Sequence, residues 1–400
     1  MTDKALSDIR IVDLTHAIAG PFCTKMLADF GAEVIKVEKT GVGDDARGMP
    51  PFLGGEPHAD KSGLFLYLNT NKQSITLNLE DEFGVKVVKD LVKDADVVVE
   101  NFRPGVMASL GLDYEVLAEI NPKVIMCSIS SFGQTGPYRD YKASSLISLA
   151  LGGSLYQTGE KGRPPLVYGI SLPEYMGGMQ AFISVLAALH QRDCTGGGQC
   201  IDLSITESVA SALEAAPIIY SYQGVIRGRG YSRFIYGHPV GIYPCKDGYI
   251  VVMPGLGGIA ALALLLGHPE WEEHPLFVDP VARQQRGEEF DSTYLLPWLK
   301  EHNRQEIVEL AQELRMPFGL VQTMDELLAE EQLQERGFFV KVDHPVAGVI
   351  TYPGAPFKMS ETPWEAGRAP ILGEHNEEVY CERLGYTRKD LAELKERGAI

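Results

Sequence analysis

The sequence predicts an α/β fold with a mostly parallel sheet covered by helices on both faces. Three observations carry that expectation. Short apolar runs alternate with amphipathic stretches through the first half of the chain. Several of these runs are continuous Val/Ile-rich segments, as strands buried on both faces require, such as Val97-Val-Val-Glu100. A long apolar stretch with a proline at its head and a glycine cluster at its foot lies between two such runs.

In chain order, Ile11 to Leu14 reads as the first strand. Phe22, Met26, Leu27 and Phe30 then follow helical spacing, and Gly31 suits the helix end. Val34 to Val37 is the next strand, and Leu77 to Leu79 adds another. A helix carries Phe83, Val87, Val88 and Leu91, before the strand Val97–Glu100. Val124 to Ser128 is a further strand. Pro173 to Arg192 is a long helix, because Pro fits a first-turn position and Gly196 to Gly198 stop the pattern. Met176, Met179, Phe182, Ile183, Leu186 and Leu189 form its expected core stripe. The strand Cys200–Ser204 follows.

Beyond Tyr220 the composition shifts. Gly224, Arg227, Gly228, Arg229 and Gly230 mark a linker up to Tyr236. A second region brings strands at Gly241 to Pro244 and Tyr249 to Val252, then helices to about Leu314. Short strands return from Val340, and an acidic–basic helix surrounds Leu391. No internal repeat or low-complexity tract interrupts this order.

Composition narrows the function. Of the 400 residues, 45% are apolar, enough for a large core and more than one domain. The formal charge is −18, which disfavours nucleic-acid and anionic-membrane partners but not an anionic ligand in a local basic pocket. The six cysteines are scattered with no C-x-x-C, so they read as buried free thiols in a reduced, cytoplasmic protein. The first residues lack an apolar signal core, and the run Tyr175 to Leu189 falls short of the ~20 residues of a membrane span. The nine histidines form no H-E-x-x-H, so no metal is expected.

Four loops carry candidate ligand groups. His16-Ala-Ile-Ala-Gly-Pro21 joins the first strand to the first helix, where backbone N–H groups point outward. It is not G-x-G-x-x-G, so NAD or FAD is not implied, and a plain tight turn explains it equally well. Asn71-Lys72 and Asn101-Phe102-Arg103 supply donors for phosphates and a ring for a flat base. Taken singly, Lys72 and Arg103 read as ordinary surface charges. Ser128 to Tyr138 is a Gly/Pro-shaped loop with no evident catalytic atom. Gly169-Ile-Ser171-Leu-Pro173 fails G-x-S-x-G at its last position, so a hydrolase elbow is not indicated.

These parts, in this order, resemble the class III CoA-transferases, the formyl-CoA transferase and carnitine-CoA transferase superfamily of CaiB/BaiF type. The matches begin at Leu6 to His16 and run through Gly31 to Glu38, Asn71-Lys72, Glu100 to Gly105 and Phe132 to Pro137. They continue in the Glu174 helix with Thr195 to Gln199, then Pro317-Phe-Gly319, Gly354 to Phe357 and Arg368 to His375. The resemblance implies a large Rossmann-like domain, a smaller α+β domain and an interlocked dimer. It implies a first part at 1–222, linker and small domain at 223–325, and a C-terminal segment at 326–400 that returns to the large domain.

The resemblance further implies coenzyme A or acyl-CoA as substrate, with no permanently bound cofactor. His16, Ala17, Ile18, Ala19, Lys39, Asn71, Lys72, Asn101, Phe102, Arg103 and Lys142 are its implied binding residues. Gly255, Gly257 and Gly258 match a glycine-rich loop over the substrate. Glu174 stands where the family normally has Asp, the covalent nucleophile, and Ser145 where an acidic residue often follows Lys142. The implied activity moves CoA from an acyl-CoA to a carboxylic acid through a mixed anhydride and an enzyme-glutamyl-CoA thioester. Two alternatives stay open. One is a non-catalytic or supporting subunit of a heteromeric transferase. The other is a racemase or isomerase of the same superfamily, whose His falls near Ser144. A homodimer, or a heteromer with a related subunit, is the implied assembly.

Overall fold

In a computed structural model, all residues are described except 1–3, 214, 231–236 and 256–257. Six strands build one sheet: β1 (Arg10–Asp13), β2 (Glu33–Glu38), β3 (Gln73–Thr76), β4 (Val97–Glu100), β5 (Ile125–Ser130) and β6 (Cys200–Ser204). Their order is β3-β2-β1-β4-β5-β6, and every pairing is parallel. The chain thus starts mid-sheet, winds to one edge, and returns to wind to the other. The strand order reverses between β1 and β4, the crevice in which open α/β sheets hold ligands.

Alternate strand residues feed two cores, because successive side chains point to opposite faces. Val12, Ile35, Ile75, Val98 and Met126 pack on one face, with Val87, Val88 and Leu91 of the Glu82–Val92 helix and Tyr380 and Leu391 from the C-terminal segment. Ile11, Val34, Val97, Ile125 and Cys127 pack on the other, with Cys23 and Leu27 of the Ala19–Asp29 helix and Ala181, Val185 and Leu189 of the long helix. Two-sided burial is why these strands are legible as continuous apolar runs.

Two elements differ from expectation. The third strand is Gln73–Thr76, not Leu77 to Leu79. Ser74 and Thr76 are buried polar residues there, and the Ser74 hydroxyl donates to Glu38 Oε1 at 2.6 Å. Hydrogen bonding replaces the apolar signal. The long helix spans Leu172–Thr195 and ends at Gly196, whose φ of 85° an L-residue adopts at a cost. Its buried face is Gly177, Gly178, Ala181, Val185, Ala188 and Leu189, while Met179 and Ile183 are about half exposed. Small residues form the contact because the backbones approach closely. A Cβ on Gly178 would lie 2.5 Å from the Ala19 carbonyl oxygen.

The chain divides into two compact units. The first takes in residues 1–154, 167–214 and 334–400, and contains the parallel sheet and the antiparallel hairpin β10 (Phe339–His344) and β11 (Gly348–Pro353). The second takes in 155–166 and 215–333. Its antiparallel sheet, β7 (Gly241–Cys245), β8 (Gly248–Val252) and β9 (Gly319–Leu320), packs with helices around Ile250, Phe277, Phe290 and Leu299. Within the Tyr220 to Tyr236 stretch, residues to Gln223 end the helix Ala216–Gln223, and 231–236 lie outside the described residues. The expected late helix is Arg388–Glu396, opened by a capping box of Thr387 and Asp390.

Candidate active site

The loops after β1 and β4 are tied to each other. The His16 N–H donates to Asn101 Oδ1 at 2.9 Å, and Asn101 Nδ2 donates to the His16 carbonyl at 2.7 Å. Ala17 has a φ of 64°, a conformation costly for a residue with a Cβ. Its N–H donates to Asp44 Oδ1 at 2.9 Å, which helps hold that conformation. The His16 ring meets Phe102 edge-on at 4.8 Å, and burial lowers the imidazole pKa below its usual value.

A buried ionic layer underlies this loop. Asp13, fully buried, accepts from the Thr15 hydroxyl at 2.5 Å, Thr24 at 2.6 Å and Lys72 at 3.0 Å. Lys36 Nζ donates to the Thr15 carbonyl at 2.9 Å and pairs with Asp44 at 2.6 Å. Burial alone would raise the Asp13 pKa, but Lys36 and Lys72, with the two hydroxyls, hold it well below the usual carboxylate range. Lys72 also donates to Pro21 O at 3.0 Å and Asn69 Oδ1 at 2.9 Å, using all three ammonium protons. Burial lowers its pKa to about 8.

With all three bonds satisfied, Lys72 serves as a structural cation here, and a phosphate contact would have to displace one of them. Asn71 is likewise occupied. Its Nδ2 donates to Asp29 Oδ1 at 2.7 Å and to the Glu365 carbonyl at 2.9 Å. Neither residue lines the two cavities at this end of the sheet.

The first cavity, of about 850 Å³, brings together eight of the expected residues. Ala17, Ile18 and Ala19 come from the loop after β1, and Asn101, Phe102 and Arg103 from the loop after β4. Lys142 precedes the short helix Ser145–Leu151, and Glu174 lies in the first turn of the long helix. Gly178 fixes that turn against Ala19, one helical turn beyond Glu174. Ser145 Oγ donates to Glu174 Oε2 at 2.6 Å. Oε1 has no hydrogen-bond partner among the described residues. The second cavity, of about 710 Å³, holds His16 and Lys39 and shares Phe102 with the first. Its other walls include Leu14, Val37, Leu77 and Leu110.

Sequence reasoning missed several participants. Asp44 supports both Ala17 and Lys36, but a polar loop residue gives no sequence signal for that. Arg139 and Tyr141 line the first cavity from the Gly/Pro-shaped loop that looked chemically empty. Glu100, 3% exposed, accepts the Phe102 N–H at 2.8 Å, and burial raises its pKa to about 7 against the pull of that bond and of Ser128. Gly255 and Gly258 belong to the second unit, both with left-handed φ, and Gly257 lies outside the described residues. Among the described residues no His/Cys/Asp/Glu cluster could hold a metal ion, and no helix is long and apolar enough to cross a membrane.

A half-buried carboxylate with one oxygen free among the described residues, facing a cavity that carries Arg103, Arg139 and Lys142, can attack an electrophile borne by a polyanionic ligand. Comparison with known proteins identifies the family. Residues 6–376 match the family described as CoA-transferase family III. The chain is 34% identical to a formyl-CoA:oxalate CoA-transferase of Rhodopseudomonas palustris, covering 99% of this chain and 97% of the relative. It is 36% identical to a succinyl-CoA–D-citramalate CoA-transferase of Chloroflexus aurantiacus, covering 99% and 98%. A CaiB/BaiF family protein from Brucella suis shares the fold at a TM-score of 0.86 and 30% identity, over 95% of this chain and 99% of that one. With a family match over nearly its whole length, a six-stranded parallel sheet and relatives that transfer CoA, the chain belongs to CoA-transferase family III.

Proposed function

We propose that the protein moves CoA from an acyl-CoA donor to a carboxylic acid, with Glu174 as the covalent nucleophile. The observation that carries this reading is the Glu174 carboxylate facing the 850 Å³ cavity, with Oε1 unpartnered among the described residues, in a lining that includes Arg103 and Lys142. Glu174 attacks the donor thioester carbonyl and expels CoA as thiolate. The thiolate attacks the enzyme-side carbonyl of the mixed anhydride and releases the donor acid. The resulting glutamyl-CoA thioester passes its CoA to the acceptor acid by the reverse steps.

In this reading Arg103 and Lys142 neutralise CoA phosphates, joined by Lys39 at the second cavity. The base lies against Phe102 and His16, where Val37 and Leu110 offer an apolar floor. Lys72 and Asn71 act only from beneath, through the ionic layer. The racemase reading needs an imidazole near Glu174, and the lining there is Ser144 and Ser145.

The assembly we infer is an interlocked homodimer, with the segment 326–400 returning to the large domain after the small one. Leu146, Ile147 and Leu151 on one helix and Met179 and Ile183 on another are exposed, more apolar surface than a solvated helix face carries. Light scattering should give a dimer, and a folded 43.9 kDa monomer at micromolar concentration would refute it.

The chemistry is tested by incubating the protein with succinyl-CoA, adding hydroxylamine and analysing the peptide that contains Glu174 by mass spectrometry. A Glu174 hydroxamate is the expected product. CoA binding without that product would make the chain a supporting subunit.

A further inference from the structure

The two oxygens of Glu174 are not equivalent. Oε2 accepts from the Ser145 hydroxyl at 2.6 Å, within the range of a charge-assisted O–H···O⁻ bond. Oε1 has no partner among the described residues. Ser145 is held by its own helix, Ser145–Leu151, where Ser148 and Leu149 are buried. Gly152 brings the end of that helix so near Val209 that a Cβ would sit 2.7 Å from its side chain.

We infer that Ser145 is a catalytic hydrogen-bond donor to the oxyanion formed on Glu174, an inference that rests on the proposed nucleophile. Oε1 is the attacking oxygen, because no hydrogen bond has to break. It adds to the donor thioester carbon, the C–S bond breaks, and CoA leaves as thiolate. Oε1 now bridges the anhydride and Oε2 is the glutamyl carbonyl oxygen. When the thiolate adds to Cδ, the carbonyl electron pair moves onto Oε2, beside the Ser145 O–H. The Cδ–Oε1 bond then breaks, and the donor acid leaves as a carboxylate that carries Oε1.

The acceptor carboxylate next adds to Cδ, and Oε2 takes the charge a second time before the thiolate departs. Finally the thiolate attacks the acceptor carbonyl, and Glu174 leaves as carboxylate, retaining one acceptor oxygen. Protons balance without a general acid or base. Ser145 donates in each of the two states that place charge on Oε2. A hydroxyl does this at any working pH, whereas an ionised acid at the same position has no proton to donate.

The test compares the wild type, Ser145→Ala and Ser145→Thr with succinyl-CoA as probe. Single-turnover quenching reads formation of the Glu174 thioester, and calorimetry reads CoA binding. Loss of one oxyanion donor predicts thioester formation about 100-fold slower in Ser145→Ala, with CoA affinity unchanged. Ser145→Thr keeps the hydroxyl and should recover most of the rate. Wild-type rates in Ser145→Ala, or a Thr variant as slow as the Ala one, would overturn the donor role and leave Glu174 as nucleophile. Turnover of succinyl-CoA by the wild type with no adduct at Glu174 would overturn both.

Discussion

Asn101 satisfies both backbone polar groups of His16, 85 residues earlier in the chain, through its single side-chain amide. The two loops at the strand-order reversal are thereby one rigid piece, and residues 17–19 and 102–103 keep a fixed spacing before any ligand arrives. Asn101→Ala leaves the His16 N–H and carbonyl unpaired in a part-buried site. We expect a loss of about 1–3 kcal/mol of stability and a CoA dissociation constant raised by about tenfold or more through loss of pre-organisation. Urea denaturation and calorimetry check the two parts separately. Unchanged affinity would mean that the loops hold their spacing without the amide.

Lys72→Ala should act on the fold and not on the ligand. It removes the nearer of two cations facing Asp13 and leaves that fully buried carboxylate with Lys36 at 4.0 Å and the two threonine hydroxyls. Breaking such a pair typically costs about 3–5 kcal/mol. The urea midpoint should fall, while the variant that remains folded should bind CoA nearly as the wild type does. Full stability with lost CoA affinity would return Lys72 to the binding site.

Glu174→Gln keeps size and hydrogen bonding but cannot form the anhydride, so transfer should fall below detection with CoA binding retained. Glu174→Asp shortens the side chain by ~1.5 Å. Because the carboxylate is seated on Ser145, the shorter residue should lose that seat and about a hundredfold in kcat. An Asp variant faster than the wild type would mean that the site has not adapted to the longer side chain.

Glu100 gives a pH dependence of defined sign. Burial raises its folded-state pKa from 4.5 to about 7, so the folded chain holds a proton that the unfolded chain has lost between these values. Its contribution to stability is complete below pH 4.5 and is lost as pH rises through 7. Glu100→Gln keeps an acceptor for the Phe102 N–H and removes the titration. The variant should gain about 3 kcal/mol on the wild type between pH 4 and pH 8. Parallel stability curves for the two proteins would show that Glu100 titrates normally.

What the sequence made legible follows from which forces leave a local trace. β1, β2, β4 and β5 are buried on both faces, so their apolar runs mark them. The long helix is bounded by Pro173 and Gly196, residues with backbone reasons to be there. β3 was hidden because Ser74 and Thr76 bury hydroxyls against Glu38 and Asn376, partners remote in the chain. Lys72 reads like a surface or phosphate-binding cation because its partner, Asp13, lies 59 residues away. The family resemblance located Glu174 and the loops around it. It could not reveal that Ser145 and Glu174 touch, since 29 residues separate them.

The contact between Gly178 and the Ala19 carbonyl has an evolutionary consequence. The helix turn that carries Glu174 is set against the sheet's first helix by one backbone resting on another, and of the side chains that line the cavity Ser145 alone is seen to hydrogen-bond its carboxylate among the described residues. Under the proposed function, residues such as Tyr141, Ser144 and Met49 can therefore change, and with them the acids accepted, without shifting the Glu174 backbone. A lineage built this way can explore new substrates by drift at its cavity wall while its reaction geometry stays inherited. A side chain at position 178 would be the mutation that such a lineage cannot absorb.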